Sequence, residues 1–247
     1  ITIKSGSSFK VYDGKELKDD NYYISQGTLV EGHRLMANVT GSITNAGTAV
    51  NEIYGVIYNE NDDDVSKNYN IIYDKGTLTV MKRKLVITTP DGEKEYDSIK
   101  LSMPGHTIIE GSLLDNHSLK GDSPMSITEI GSVTNDFNPT VYDENNNDVT
   151  CNYEIEVRPG TLTINPITLY IEADSASATY NGKPLEKNSY NITHGSLLTA
   201  HKADMTVIGS QTEVGQSENK IFGKIVNRHT NIDVSHYYNI EYSYGTL

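Results

Sequence analysis

Three histidines recur at a constant spacing of 84 residues: His33, His117 and His201. A recurring histidine could ligate a metal or carry a proton. Metal binding needs more donors, and no second His or Cys follows any of them at the third or fourth position. Each is therefore read as a side chain closing a short helical turn, bonded to the free carbonyls at its end. Two acidic loops offer different chemistry. Asn59 to Asp64 and Asp143 to Asp148 are rich in hard oxygen donors, with Asp62, Asp64, Asp143 and Asp148 as candidate calcium ligands. The EF-hand spacing with its central Gly and closing Glu is missing, and the third copy, Asn227 to Asp233, carries Arg228 instead of acids. Loops in which Asp and Asn bond their own backbone are the favoured reading, above all for Asp64, Asp148 and Asp233, each followed by Val and Ser or Thr.

Nucleophilic chemistry has little to build on. Cys151 is the sole cysteine, and it lacks the basic neighbours that make a thiolate. No Gly-x-Ser-x-Gly elbow or phosphate-cradling loop occurs. The expectation is a non-catalytic chain without cofactor. Tyrosine is the remaining candidate, with 17 Tyr against 3 Phe and no Trp. Tyr12, Tyr96 and Tyr180 recur, as do Tyr69, Tyr153 and Tyr238, which marks them as packing residues. Tyr22, Tyr23, Tyr54, Tyr58, Tyr237 and Tyr244 do not recur and are the candidate ligand contacts, suited to stacking on a sugar or a protein partner.

The elements that hold these residues are set by an internal repeat. The 84-residue step also links Leu17, Leu101 and Leu185, then Gly47, Gly131 and Gly215, then Asn51, Asn135 and Asn219. The third copy has one extra residue between Val226 and Asp233. Three units fill the chain, at residues 1–82, 83–166 and 167–247, joined without Gly- or Ser-rich tethers. Each is long enough for a modest core of its own, and the joints predict a monomeric, semi-rigid rod. The chain opens at Ile1 inside a strand pattern and stops at Leu247 inside a closing Gly-Thr-Leu, so a cut fragment is expected.

Period-two alternation dominates each unit, as in Ile1/Ile3, Leu85/Ile87 and Leu169/Ile171. Hairpin turns are predicted around Ser5-Gly6 and Asp91-Gly92. Pro139 predicts a strand with one free edge. One stretch breaks the pattern: residues 28–33, 112–117 and 196–201 each start with Thr or Ser, and in the first copy Glu31 completes a capping box. One or two helical turns are predicted there. About seven short strands per unit predict an all-β chain of three tandem antiparallel domains of immunoglobulin-like sandwich size, with a β-grasp-like sheet as the alternative.

Charge narrows the partners. Lys and Arg number 20 against 33 Asp and Glu, a formal charge of −13. A nucleic-acid binder needs a cationic face, and so does a protein docked on anionic lipid. No stretch has the roughly 18 apolar residues of a membrane-spanning helix.

The segments Tyr12-Asp13-Gly14-Lys15-Glu16-Leu17, Gly41-Ser42-Ile43-Thr44, Asn68-Tyr69-Asn70-Ile71 and Gly76-Thr77-Leu78-Thr79-Val80 resemble the MBG/YDG-type repeat domains of bacterial cell-surface adhesins. The second unit departs from that pattern with Ser98-Ile99 in place of Gly-Lys and with Met125 in place of Gly41 and Gly209. The resemblance implies a secreted, cell-wall or cell-surface protein of bacterial origin whose repeats form a stalk or adhesive array. Host glycan or extracellular protein would be its partner if it binds one.

Overall fold

The computed structural model describes residues 1–122 and 125–247. The chain is all-β and built from several small sheets, with no α-helix among the described residues. Buried and exposed positions alternate as the sequence pattern requires, for example along Gly76–Met81 and Ile167–Ala173.

Each repeat divides into a leading and a trailing half. In repeat 1 the leading half holds strand Thr2–Ser5 between Tyr22–Gln26, antiparallel, and Ile72–Asp74, parallel. The two-stranded pair of Arg34–Val39 with Ile53–Tyr58 belongs to the same half. The trailing half holds Gly76–Met81 between Ser8–Val11, parallel, and Gly47–Asn51, antiparallel. Repeat 2 has the same order around Arg83–Thr88 and around Gly160–Asn165. Repeat 3 keeps the leading sheet around Ile167–Ala173. Its trailing half retains the pairing of Glu218–Asn227 with Gly245–Thr246.

Three sequence expectations are corrected. The sheets are mixed rather than purely antiparallel, because the first strand of each repeat pairs in parallel with a late one. Ser5-Gly6 and Asp91-Gly92 are not hairpin turns: the strands on either side enter different sheets. Ser5 Oγ donates to the Asn51 carbonyl at 2.6 Å and accepts from the Gly76 N–H at 2.8 Å, which fixes the crossing point. Finally, the segments at 28–33, 112–117 and 196–201 close one turn each through a single i to i−3 bond, such as His33 N–H to Val30 O at 3.0 Å. A single bond does not offset the cost of nucleating a helix. The helical turns lie instead at Ser66–Asn68, Thr150–Asn152 and Ser235–Tyr237. The free edge predicted by Pro139 is present at that residue: among the described residues the one strand laddered on Asn138–Tyr142 is Ser118–Asp122, and the opposite edge carries just an isolated bridge from Tyr142 to Asp148.

Compactness does not follow the repeat boundaries. One compact unit comprises Ile1–Thr89, Gly105–Ser123 and Phe137–Pro159, and the other Pro90–Pro104, Pro124–Asp136 and Gly160–Leu247. Repeat 2 is thus shared, its leading half in the first unit and its trailing half in the second. Two apolar clusters cross the joints at Lys82 and Pro166. In the first unit Tyr12, Leu17, Leu78 and Val80 of repeat 1 are buried with Leu85, Ile87, Phe137, Val141 and Tyr153 of repeat 2. In the second, Tyr96 and Ile164 of repeat 2 are buried with Leu169, Ile171, Ile221 and Ile225 of repeat 3. A core private to each repeat was the expectation. The alternation of a strand marks which face is buried but not the neighbour that buries it.

Candidate functional site at the repeat junctions

His117, Tyr153 and Asn152, and in the next repeat His201, Tyr238 and Tyr237, lie on the faces where a leading half meets the preceding repeat's trailing half. Each His is held by the recurring Tyr of its own leading half. His33 Nδ1 lies 2.7 Å from the Tyr69 hydroxyl, His117 Nδ1 2.7 Å from Tyr153, and His201 Nδ1 2.8 Å from Tyr238. The same hydroxyls accept a backbone N–H from Val30, Leu114 and Leu198. The hydroxyl thus serves two partners at once, and which atom supplies the hydrogen shared with Nδ1 is set by the imidazole tautomer. The expectation that these histidines bond free helix-end carbonyls is replaced by this His–Tyr clasp. His201 is buried, and desolvation first, then the nearby His236, pull its pKa below the ordinary value. Burial likewise pushes the Tyr153 and Tyr238 phenols up.

At the first junction Tyr12 packs edge-on against Tyr153, with ring centroids 6.0 Å apart, and lies 6.0 Å from His117. Asn152, fully buried, closes the rim: its Oδ1 accepts the Ala46 N–H at 2.7 Å, and its Nδ2 donates to Asn45 Oδ1 at 3.1 Å. At the second junction the same slots hold different residues. Tyr237 stands where Asn152 stood and stacks on Tyr96 at 4.1 Å with its ring nearly parallel. Its hydroxyl donates to Glu129 at 3.1 Å, and Glu129 occupies the slot of Asn45.

A second recurring asparagine was seen in the sequence as a repeat marker without a role. Asn51, Asn135 and Asn219 are fully buried. Asn51 Nδ2 donates to the carbonyls of Gly6 and Asp19, Asn135 Nδ2 to Pro90 and Met103, and Asn219 Nδ2 to Asp174 and Lys187. Each ties down the chain just after it has crossed from leading to trailing half. Its constant spacing in three repeats was the available signal. Gly41 and Gly209 lie so close that a Cβ would meet the Asn51 or Asn219 Oδ1 at 2.3 or 2.4 Å. Tyr-Asp-Gly is a turn for a stated reason as well. Gly14 and Gly182 have φ of +75° and +74°, and Ser98 holds the same conformation at +65°.

The other candidates fall into place separately. Asp64 Oδ1 accepts from the Ser66 N–H, and Asp148 Oδ1 from the Thr150 N–H, each at 2.9 Å. Asp143 Oδ1 accepts from the N–H groups of Asn145 and Asn147. Asp62 pairs with Arg34. Hydrogen bonds from Ser66, Thr150 and Asn147 hold the carboxyls of Asp64, Asp148 and Asp143 below the usual carboxylate range. No group of three or more His, Cys, Asp or Glu is arranged around a common point among the described residues. Tyr22, Tyr23, Tyr54 and Tyr244 are exposed. Tyr54 stacks loosely on Tyr73, and Arg34 lies over the Tyr58 ring. The structure gathers no more than such pairs from these tyrosines, and Tyr237 is spent on the junction. Cys151 is exposed and free.

The arrangement therefore supplies cohesion between successive repeats. No protein-family model matches the chain, and no curated protein matches it at a significant level of sequence similarity.

Proposed function

We propose that the chain is a non-catalytic tandem-repeat segment from the stalk or adhesive region of a bacterial cell-surface protein, displayed outside the cell. The observation that carries the reading is the junction. The trailing halves of repeats 1 and 2 are each completed by the next repeat's leading half, so a pull on one repeat loads a hydrophobic core shared with its neighbour. The MBG/YDG resemblance supplies the setting, and the surplus of acid keeps such segments from clumping. Single-molecule pulling between the termini tests it. A lone 84-residue repeat would release about 300 Å of chain. Shared cores predict steps that combine more than one repeat, whereas three equal single-repeat steps would refute the coupling.

The alternative, a module that binds host glycan or extracellular protein, draws on exposed Tyr23 and Tyr54. Binding to a panel of glycans and matrix proteins, abolished by Tyr23→Ala or Tyr54→Ala, would favour it over the stalk.

A further inference from the structure

Each leading half carries a two-stranded pair whose second strand has an open edge. The strand is Ile53–Tyr58 in repeat 1, Asn138–Tyr142 in repeat 2 and residues 221–227 in repeat 3. Among the described residues no further strand ladders onto this edge beyond the isolated bridges of Tyr58, Tyr142 and Val226. Repeat 2, with a repeat before and after it in the chain, has the same edge as the others. An open edge offers backbone N–H and C=O groups to any strand that can reach them.

Two positions along that edge are closed in each repeat. The helical turn closes the first in the same way three times: the hydroxyls of Ser66, Thr150 and Ser235 accept the N–H of Ile57, Val141 and Ile225, each at 2.9 Å. The second is closed in two different ways. In repeat 1 the Gly55 N–H donates to the Tyr73 hydroxyl at 3.2 Å, and that hydroxyl donates to the Gly55 carbonyl at 3.2 Å. In repeat 3 the Tyr242 hydroxyl donates to the Gly223 carbonyl at 3.1 Å. Repeat 2 has Val157 in the tyrosine slot and Pro139 in the glycine slot. Val157 has no hydroxyl to offer, and Pro139 has no N–H to satisfy. Tyr73, Val157 and Tyr242 stand opposite Ile3, Ile87 and Ile171 in register, so all three approach the edge from the same place.

We infer that this edge is a latent self-pairing site held closed by two interchangeable locks: a tyrosine hydroxyl on the glycine's backbone groups in repeats 1 and 3, and a proline in repeat 2. The partner that the locks exclude is the same strand of a second copy. It can pair antiparallel about a two-fold axis and extend the pair to four strands. The lock resides in the combination. Tyr with Gly fills the outward groups, and Val with Pro removes the outward donor. Val with Gly would leave an N–H and a C=O open together, and that combination occurs in none of the three repeats.

Sedimentation velocity and peptide-resolved hydrogen exchange on the intact chain test this. Tyr73→Val and Pro139→Gly each create the open combination, in repeats 1 and 2 respectively. Each should self-associate about 10-fold more tightly than the unsubstituted chain, or better, the equivalent of one or more net hydrogen bonds. At low concentration, amide exchange should speed up in residues 53–58 for the first and 137–142 for the second, and slow again as the dimer forms. Adding Val157→Tyr to Pro139→Gly restores a closed combination and should return both readings to those of the unsubstituted chain. Circular dichroism places each measurement below the variant's own melting transition. Two open variants that associate no more tightly than the unsubstituted chain overturn the inference. So does a Pro139→Gly, Val157→Tyr chain that associates as strongly as Pro139→Gly alone.

Discussion

The three junction tyrosines provide an internally controlled experiment. Tyr12, Tyr96 and Tyr180 occupy one repeat position, end equivalent turns and differ in what covers them. Each is changed to Ala in turn. Truncating a buried aromatic to Ala removes its transfer energy and leaves a cavity, about 3–5 kcal/mol. For Tyr12, about 0.5–1.5 kcal/mol of that belongs to the edge-on contact with Tyr153. Tyr180 is mostly exposed, and a surface truncation of that kind costs about 0.5 kcal/mol. At roughly 2–4 °C per kcal/mol, Tyr12→Ala and Tyr96→Ala should lower melting temperatures by about 10 °C, and Tyr180→Ala by 1–2 °C. Differential scanning calorimetry of the whole chain reads this. Tyr12→Ala should act on the first compact unit and Tyr96→Ala on the second, so each should shift a different part of the transition. Equal losses at all three positions would show that each tyrosine packs within its own repeat, and the shared-core reasoning would fail.

Other expectations rest on single residues. Asn152→Ala removes a fully buried amide and leaves the partly buried Ala46 N–H without its partner, and should cost about 1–3 kcal/mol by urea denaturation, while Asn68→Ala, in the same repeat slot but exposed, should cost about 0.5 kcal/mol at most. Ser98→Gly removes a side chain from a left-handed backbone position and should stabilise by about 0.5–1 kcal/mol; a loss of stability would mean that the Ser side chain contributes a contact of its own. His201 has a depressed pKa in the fold, so its contribution is complete above about pH 6.5 and declines as pH falls toward the depressed value, because the unfolded chain takes up the proton first. His201→Gln should flatten that part of the stability profile, and an unchanged slope between pH 7 and 5 would assign the dependence elsewhere.

Much of this molecule was legible from its residues. The repeat, the strand alternation and the Asp-Val-Ser/Thr turns are local: they follow from side-chain period, glycine at positive φ and carboxylates bonding N–H groups two residues on. The favoured reading of Asp64 and Asp148 holds for that reason. The short turn was misplaced because Thr28 and Glu31 satisfy a capping rule that competes with a distant partner. Tyr69 takes the Val30 N–H from 39 residues away, beyond the reach of a local rule.

What only the tertiary structure decided is who covers whom. Nothing in Tyr12-Asp13-Gly14 or Tyr180-Asn181-Gly182 tells a buried tyrosine from an exposed one, because burial is conferred by strands distant in sequence. The chain specifies three copies of a pattern with an apolar face on each half. Whether that face closes on its own repeat or the next depends on the crossing at Ser5-Gly6, which sends consecutive strands into separate sheets and leaves each trailing half to find its cover beyond the repeat boundary.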